Sequence, residues 1–232
     1  MTTSTILSRR SLLAGMGTGG AAIALGGCST LGGFGGFGLL DGIRNILLLS
    51  SERAFARLTQ PVGWYDGQIA KLALGDVLGS RGDILSTILT SGIVKDRLER
   101  EFAQIAVEGA YRAAPLVYDT VRTIGISNAL ALINGGPTAA TGFLRQNMGA
   151  TLVEAMVPEI GDAMRISQDP VIGQLIAGVT GVDAGAIVGN FAREADDAIW
   201  NQIGVEETGI RANPRETGDP AIIAVLTGAN AL

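Results

Sequence analysis

Chemistry in this chain has to come from carboxylates and guanidinium groups, because its 232 residues include no histidine and a single cysteine. The lack of His excludes Ser-His-Asp and Cys-His catalysis, His-ligated zinc and the commonest general base near neutral pH. One thiol cannot build a Cys zinc site or an intrachain disulfide. Three acid groups remain: Asp196-Asp197, Glu206-Glu207, and Glu154 with Asp162. Paired carboxylates suit metal binding or the acid/base work of a glycan hydrolase. Adjacent acids on a helix, however, point about 100° apart at 3.6 residues per turn, so neither doublet is a dyad by itself. Each needs partners from another helix, and solvated or ion-paired roles are what this spacing favours. No catalytic residue, metal ligand or cofactor site is assigned. Gly15-Met16-Gly17-Thr18-Gly19-Gly20 matches G-x-G-x-x-G, but no strand precedes it, and a dinucleotide site needs one.

The single thiol carries a more specific expectation. Cys28 follows Leu25-Gly26-Gly27 and ends an apolar, glycine-interrupted run that begins at Leu12. Ahead of that run stand Arg9 and Arg10, and no acid precedes Asp41. The run is too short for a membrane span and fits the hydrophobic region of an export signal. Leu25-Gly26-Gly27-Cys28 resembles the lipobox of bacterial lipoproteins, in which the leader is cut before the Cys and the new terminus is acylated. Several acyl chains, each burying CH₂ groups at about 0.8 kcal/mol apiece, hold a protein durably on a bilayer. Ser8-Arg9-Arg10-Ser11-Leu12-Leu13 resembles a twin-arginine signal, with the Sec route left open. Ser29 resembles the sorting residue of outer-membrane lipoproteins. The expected organisation is therefore a signal peptide over 1–27, an acylated Cys28 with a Gly-rich linker over 28–41, and a helical domain over 42–232. The expected location is the periplasm, tethered to a membrane, with the outer membrane favoured.

Without its first 27 residues the chain carries 15 basic against 22 acidic residues, a net charge of −7. Phosphate backbones are bound through Lys and Arg with counterion release, so nucleic acid is not an expected partner. The remaining 205 residues suffice for one well-buried domain.

The elements that must position these groups read as helices throughout. Residues 43–58 place Ile43, Ile46, Leu47, Ser50, Ala54 and Leu58 on one face. Residues 61–82 are glycine-rich and read as an ordered loop, in which Trp64 and Tyr65, with Phe55 beside them, are expected to anchor packing rather than line a ligand groove. A short helix over 83–90 follows. The clearest helix runs from Ile93 to Arg122, with Phe102, Ile105, Gly109, Ala113 and Leu116 inward and the pairs Lys95/Glu99, Asp96/Arg100 and Arg97/Glu101 outward. Ser127 is expected to cap a short helix to Ile133. Pro137 opens one helix running to Met164, kinked at Pro158 as the earlier one is at Pro115. Another short helix is expected from Asp169-Pro170 to Gly178. Asp183 caps a helix with Ile187, Phe191, Ala195, Ala198 and Ile199 inward, and a last helix spans Pro220–Leu226. The fold class is all-α, a single-domain bundle with kinked helices.

Two patches carry a family resemblance. Gly135-Gly136-Pro137-Thr138-Ala139-Ala140-Thr141, followed by Phe143-Leu144-Arg145, resembles a helix start of the form GG-x-x-AAT-x-(Y/F)-(F/L)-R. Glu206-Glu207, Ile210-Arg211, Asn213-Pro214, Arg215 and Thr217 resemble EEE-x-x-IR-x-NP-A-R-T. Both are signatures of the DUF4197 family of uncharacterised bacterial envelope proteins, which the chain resembles over about residues 42–228. The resemblance implies helical architecture and a periplasmic location, and it supplies no activity. The expected function is a non-enzymatic, lipid-anchored envelope component that binds or scaffolds a partner protein or peptidoglycan-associated machinery. Its candidate contact is a patch of Arg145, Glu206, Glu207, Arg211 and Asn213. The same residues are alternatively an ion-pair network joining two helices. Other readings are a carrier or sensor of a small apolar ligand in a cavity near Pro115, Pro158, Met148, Met156 and Met164, and a carboxylate-based hydrolase.

Overall fold

Every described stretch of the chain buries a face that repeats at three- and four-residue spacing, and the result is helix packed on helix. The computed structural model describes residues 38–60, 92–166 and 184–228. Their elements are α1 (Leu39–Leu58), α2 (Gly92–Thr123), α3 (Ala129–Ile133), α4 (Ala139–Met148), α5 (Thr151–Ile166), α6 (Ala184–Ala212), a 3-10 turn (Pro214–Thr217) and α7 (Pro220–Gly228). No strand occurs among the described residues. The fold is an all-α bundle in which these residues share one core.

α1 packs against α6, α2 and α7, and α5 closes the other side against α2 and α6. The expected α1 face is buried throughout, from Ile43 to Leu58, with Phe55 added to it. Phe55 meets Tyr118 of α2 edge to face at 5.8 Å, and Phe102 of α2 meets Phe191 of α6 at 5.3 Å. Met148, Met156 and Met164 are all buried in this core. Small residues set two close crossings. A Cβ on Gly42 would stand 2.5 Å from the Val225 methyls of α7, and one on Gly109 would stand 3.3 Å from Ile160 Cδ1 of α5.

Several boundaries differ from the periodicity reading. α1 begins at Leu39, four residues before Ile43, because Asp41 Oδ2 accepts from the Gly38 N–H and closes the first turn. Asn128 rather than Ser127 precedes α3. The helix expected from Pro137 to Met164 is two helices, α4 and α5. They part at Gly149, whose φ of +54° and ψ of −126° lie where residues with a Cβ rarely go. Pro115 and Pro158 sit inside α2 and α5, each on an exposed face where the missing N–H is least costly. α6 runs to Ala212, carrying the second signature on the same helix as the Phe191 stripe. Asp219 starts α7, its Oδ1 accepting from Ala221 N at 2.8 Å and Ile222 N at 3.1 Å, while Oδ2 accepts from Asn45 of α1 at 2.9 Å. Arg9, Arg10, Cys28, Trp64, Tyr65, the helices expected over 83–90 and 169–178, the Asp183 cap and the side chains of the 95–99 pairs lie outside the described residues.

Candidate functional site

The two signature patches meet at the start of α4. The first four backbone N–H groups of a helix lack intrahelical acceptors, and here two of them find one on a different helix. Glu207 of α6, fully buried, accepts from Ala140 N at 3.1 Å, Thr141 N at 2.7 Å and Thr141 Oγ1 at 2.6 Å. A carboxylate at this position also opposes the positive end of the α4 dipole. One helical turn along α6, Arg211 donates from Nε to Glu207 at 2.7 Å. Its Nη1 and Nη2 donate to Ile133 O at 2.9 Å and Leu132 O at 2.8 Å, the last carbonyls of α3. One buried ion pair thus closes the end of α3 and the start of α4, and the Gly135-Gly136-Pro137 turn between them is fixed by both.

The remaining candidates divide between two other contacts. Glu206, next to Glu207 but about 100° round the helix, turns to α1 and pairs with Arg57 Nε at 2.6 Å, with Gln202 Nε2 donating at 3.0 Å. Arg145 does not join Glu207 and Arg211. Its Nη2 donates to Asp196 at 3.2 Å and also contacts Asp197. Asn213 is exposed beyond the end of α6. Of the other acids, Glu154 is exposed and Asp162 is exposed and paired with Arg165 one turn on.

Asp196 is the electrostatically distinctive member. Burial pushes its pKa up from the usual carboxylate value; the Trp200 hydrogen bond and the Arg145 charge pull it back, and the neighbouring Asp197 charge adds to the rise. Trp200 Nε1 donates to its Oδ1 at 2.9 Å, so the carboxylate holds an indole from within α6 and a guanidinium from α4 together.

Beside this cluster an open groove of about 480 Å³ runs between α4 and α6. The start of α4 supplies Thr138, Thr141, Gly142 and Arg145. From α6 come Asp197, Trp200, Asn201 and Gly204, with Val205 and Thr208 at the far end. Val205 is 54% exposed, whereas the Trp200 ring is almost wholly buried beneath the groove. Asp197 is the one acid of the six sequence candidates that borders it. Among the described residues no three His, Cys, Asp or Glu side chains converge to hold a metal, and no helix is long and apolar enough to cross a membrane.

Sequence reasoning named Arg145 and Asp197 in this groove but missed Trp200, Asn201, Thr138 and Thr208. The available signal was a polar and small-residue stripe on α6, 197, 201, 204, 205 and 208, at helical spacing opposite the apolar one. A family model described as Protein of unknown function (DUF4197) matches residues 37–227. No match to the chain was found among curated proteins or among solved structures.

Proposed function

The chain belongs to the DUF4197 family, and on that premise we propose that it is a lipid-anchored periplasmic binding or scaffolding component of the bacterial envelope, not an enzyme, with the α4–α6 groove as its binding surface. Cys28, behind the Arg9-Arg10 leader, is the anchor, and palmitate-type acyl chains on it hold the protein at the membrane, in this reading the outer one. The linker that follows is uncharged and rich in glycine, which gives the helical domain reach from the bilayer.

The observation that carries this reading is the way the groove is built. Glu207 and Arg211 lock the helix start that forms one wall, while Arg145 ties that wall to α6. Rigid walls around an open, solvent-facing surface of mixed polar and apolar character suit binding, because little ordering remains to oppose the ligand. The acids, in contrast, are each answered by an arginine or turned to different sides of the bundle, which does not give a carboxylate pair across a cleft.

A photo-crosslinking amino acid at Val205, in intact cells, tests the surface. The expected result is a reproducible adduct with one envelope component, identified by mass spectrometry. The same probe at Tyr111, 60% exposed on α2, should not give that adduct. Equal or no capture from the two positions would refute the assignment of the groove.

A further inference from the structure

We propose that the α4–α6 groove takes a neutral, polyhydroxylated ligand: a glycan segment of one to two sugar rings. The inference rests on the groove being the binding surface and adds the chemistry of what it binds.

What the groove cannot favour narrows the choice. The start of a helix ordinarily attracts anions through free N–H groups. Here Ala140 N and Thr141 N are already spent on Glu207, Ala139 N on Gly136 O and Gly142 N on Thr138 O. The one cation at the rim, Arg145, is answered by both Asp196 and Asp197, so an anionic ligand meets a local excess of negative charge. A purely apolar ligand would cover the apolar part of the lining but leave the Asn201 amide, the Thr138 hydroxyl and the free donors of Arg145 without partners.

What remains unspent is planar and polar. Asn201 makes no side-chain hydrogen bond among the described residues, and neither does the Thr138 hydroxyl. Arg145 uses only Nη2 in its contacts, leaving Nε and Nη1, and Asp197 uses only Oδ1. The groove thus offers further guanidinium donors, a carboxylate acceptor, an amide that both donates and accepts, and a hydroxyl. Adjacent sugar hydroxyls each donate and accept at once, so they can satisfy such a mixed set without a net charge. Val205 and the open face of Gly142, with the Thr138 methyl that covers the buried Gly204, give a partly apolar strip against which the C–H face of a sugar ring can lie. A Cβ placed on Gly142 meets nothing within 4 Å, which marks that strip as open space. The volume of about 480 Å³ falls within the roughly 300–1,000 Å³ of small-molecule sites.

The test is a titration of the detergent-solubilised full-length protein with N,N′-diacetylchitobiose and with maltose. It is followed by calorimetry and by the NMR shifts of the Trp200 indole N–H, the Asn201 amide and the Arg145 Nε–H. Saturable binding of at least one saccharide is expected, with no binding of inorganic phosphate or acetate. Gly142→Leu should fill the groove and abolish the shifts without lowering the melting temperature, since Leu favours a helix interior more than Gly does. Asn201→Ala, which removes up to two neutral hydrogen bonds, should weaken binding by about tenfold. Failure of both saccharides, or saturation by phosphate or acetate, overturns the ligand class. A Val205 adduct that disappears in Gly142→Leu while both saccharides fail refutes the glycan and leaves the groove standing. Saccharide shifts that survive Gly142→Leu place the sugar elsewhere and refute this site.

Discussion

Replacing Glu207 by Ala removes the carboxylate that joins α6 to the start of α4 and, through Arg211, to the end of α3. The variant leaves Ala140 N, Thr141 N and the Thr141 hydroxyl without their acceptor and leaves the Arg211 guanidinium, 11% exposed, without its counter-charge. Four bonds at 1–3 kcal/mol each would overstate the loss, because they share one carboxylate and water partly replaces it. Breaking a buried pair by deleting one partner costs about 3–5 kcal/mol, and that figure applies here. Glu207→Gln keeps the shape but supplies one carbonyl acceptor and a new donor facing four donor groups, for a loss of about 2–3 kcal/mol. In urea denaturation followed by far-UV circular dichroism, the midpoint should fall with the slope unchanged. Thermal midpoints should drop by roughly 6–20 °C, at about 2–4 °C per kcal/mol for a domain of this size. The Ala variant combined with Arg211→Ala should lose much less than the two single losses added together, since the second partner is no longer left buried alone. A loss below about 1 kcal/mol for Glu207→Ala, or strict additivity of the double variant, would refute the view that this pair is one buried unit.

The remaining predictions concern local electrostatics and backbone. Asp196 has a raised folded-state pKa, so the folded state holds its proton more tightly than the unfolded chain does. Its favourable contribution is therefore complete below the unfolded value and is lost as pH rises through the raised one. Asp196→Asn keeps an acceptor for Trp200 and does not titrate, so acidification from neutral pH should stabilise the native protein relative to the variant. Urea midpoints of the two proteins at neutral pH and at a pH near the ordinary carboxylate pKa would read this, and a difference that is flat or of opposite slope would contradict it. Gly149→Ala meets no neighbour within 4 Å yet must adopt φ near +54°, so it should destabilise by about 1–3 kcal/mol through backbone strain alone. Denaturant titration of that variant checks it, and an unchanged midpoint would mean that α4 and α5 part for another reason.

Much of the fold was legible because helix faces repeat locally. The α1 stripe, the Phe102 and Phe191 stripes and the close approach at Gly109 all follow from three- and four-residue spacing. Helix ends were less legible where a single residue decides them. Gly149 reads as a helical position by pattern and breaks the helix by its φ, and Leu39 joins α1 through an Asp41 contact that hydrophobicity does not encode. The site shows the same division. The two signatures marked the residues at the α4–α6 junction, yet which side chain meets which depends on the direction in which α4 crosses α6. Thr141 meets Glu207 and Arg145 meets Asp196, so α4 and α6 run in opposite senses here. Arg145 is four residues from Thr141, about 6 Å along its helix, and that step carries it away from Arg211 towards Asp196 and Asp197, earlier on α6 than Glu207. No local pattern contains that information.

The proposed working unit is a groove carried at a membrane on one acylated residue, and Cys28 is the place to test it. Cells expressing the protein are grown with an alkyne-bearing palmitate analogue, and the membrane and soluble envelope fractions are compared with those of a Cys28→Ala variant. The account predicts label on the native chain, recovery in the membrane fraction, and an unlabelled variant of unchanged helicity in the soluble one. A native chain without label, or a Cys28→Ala variant still sedimenting with membranes, would contradict it.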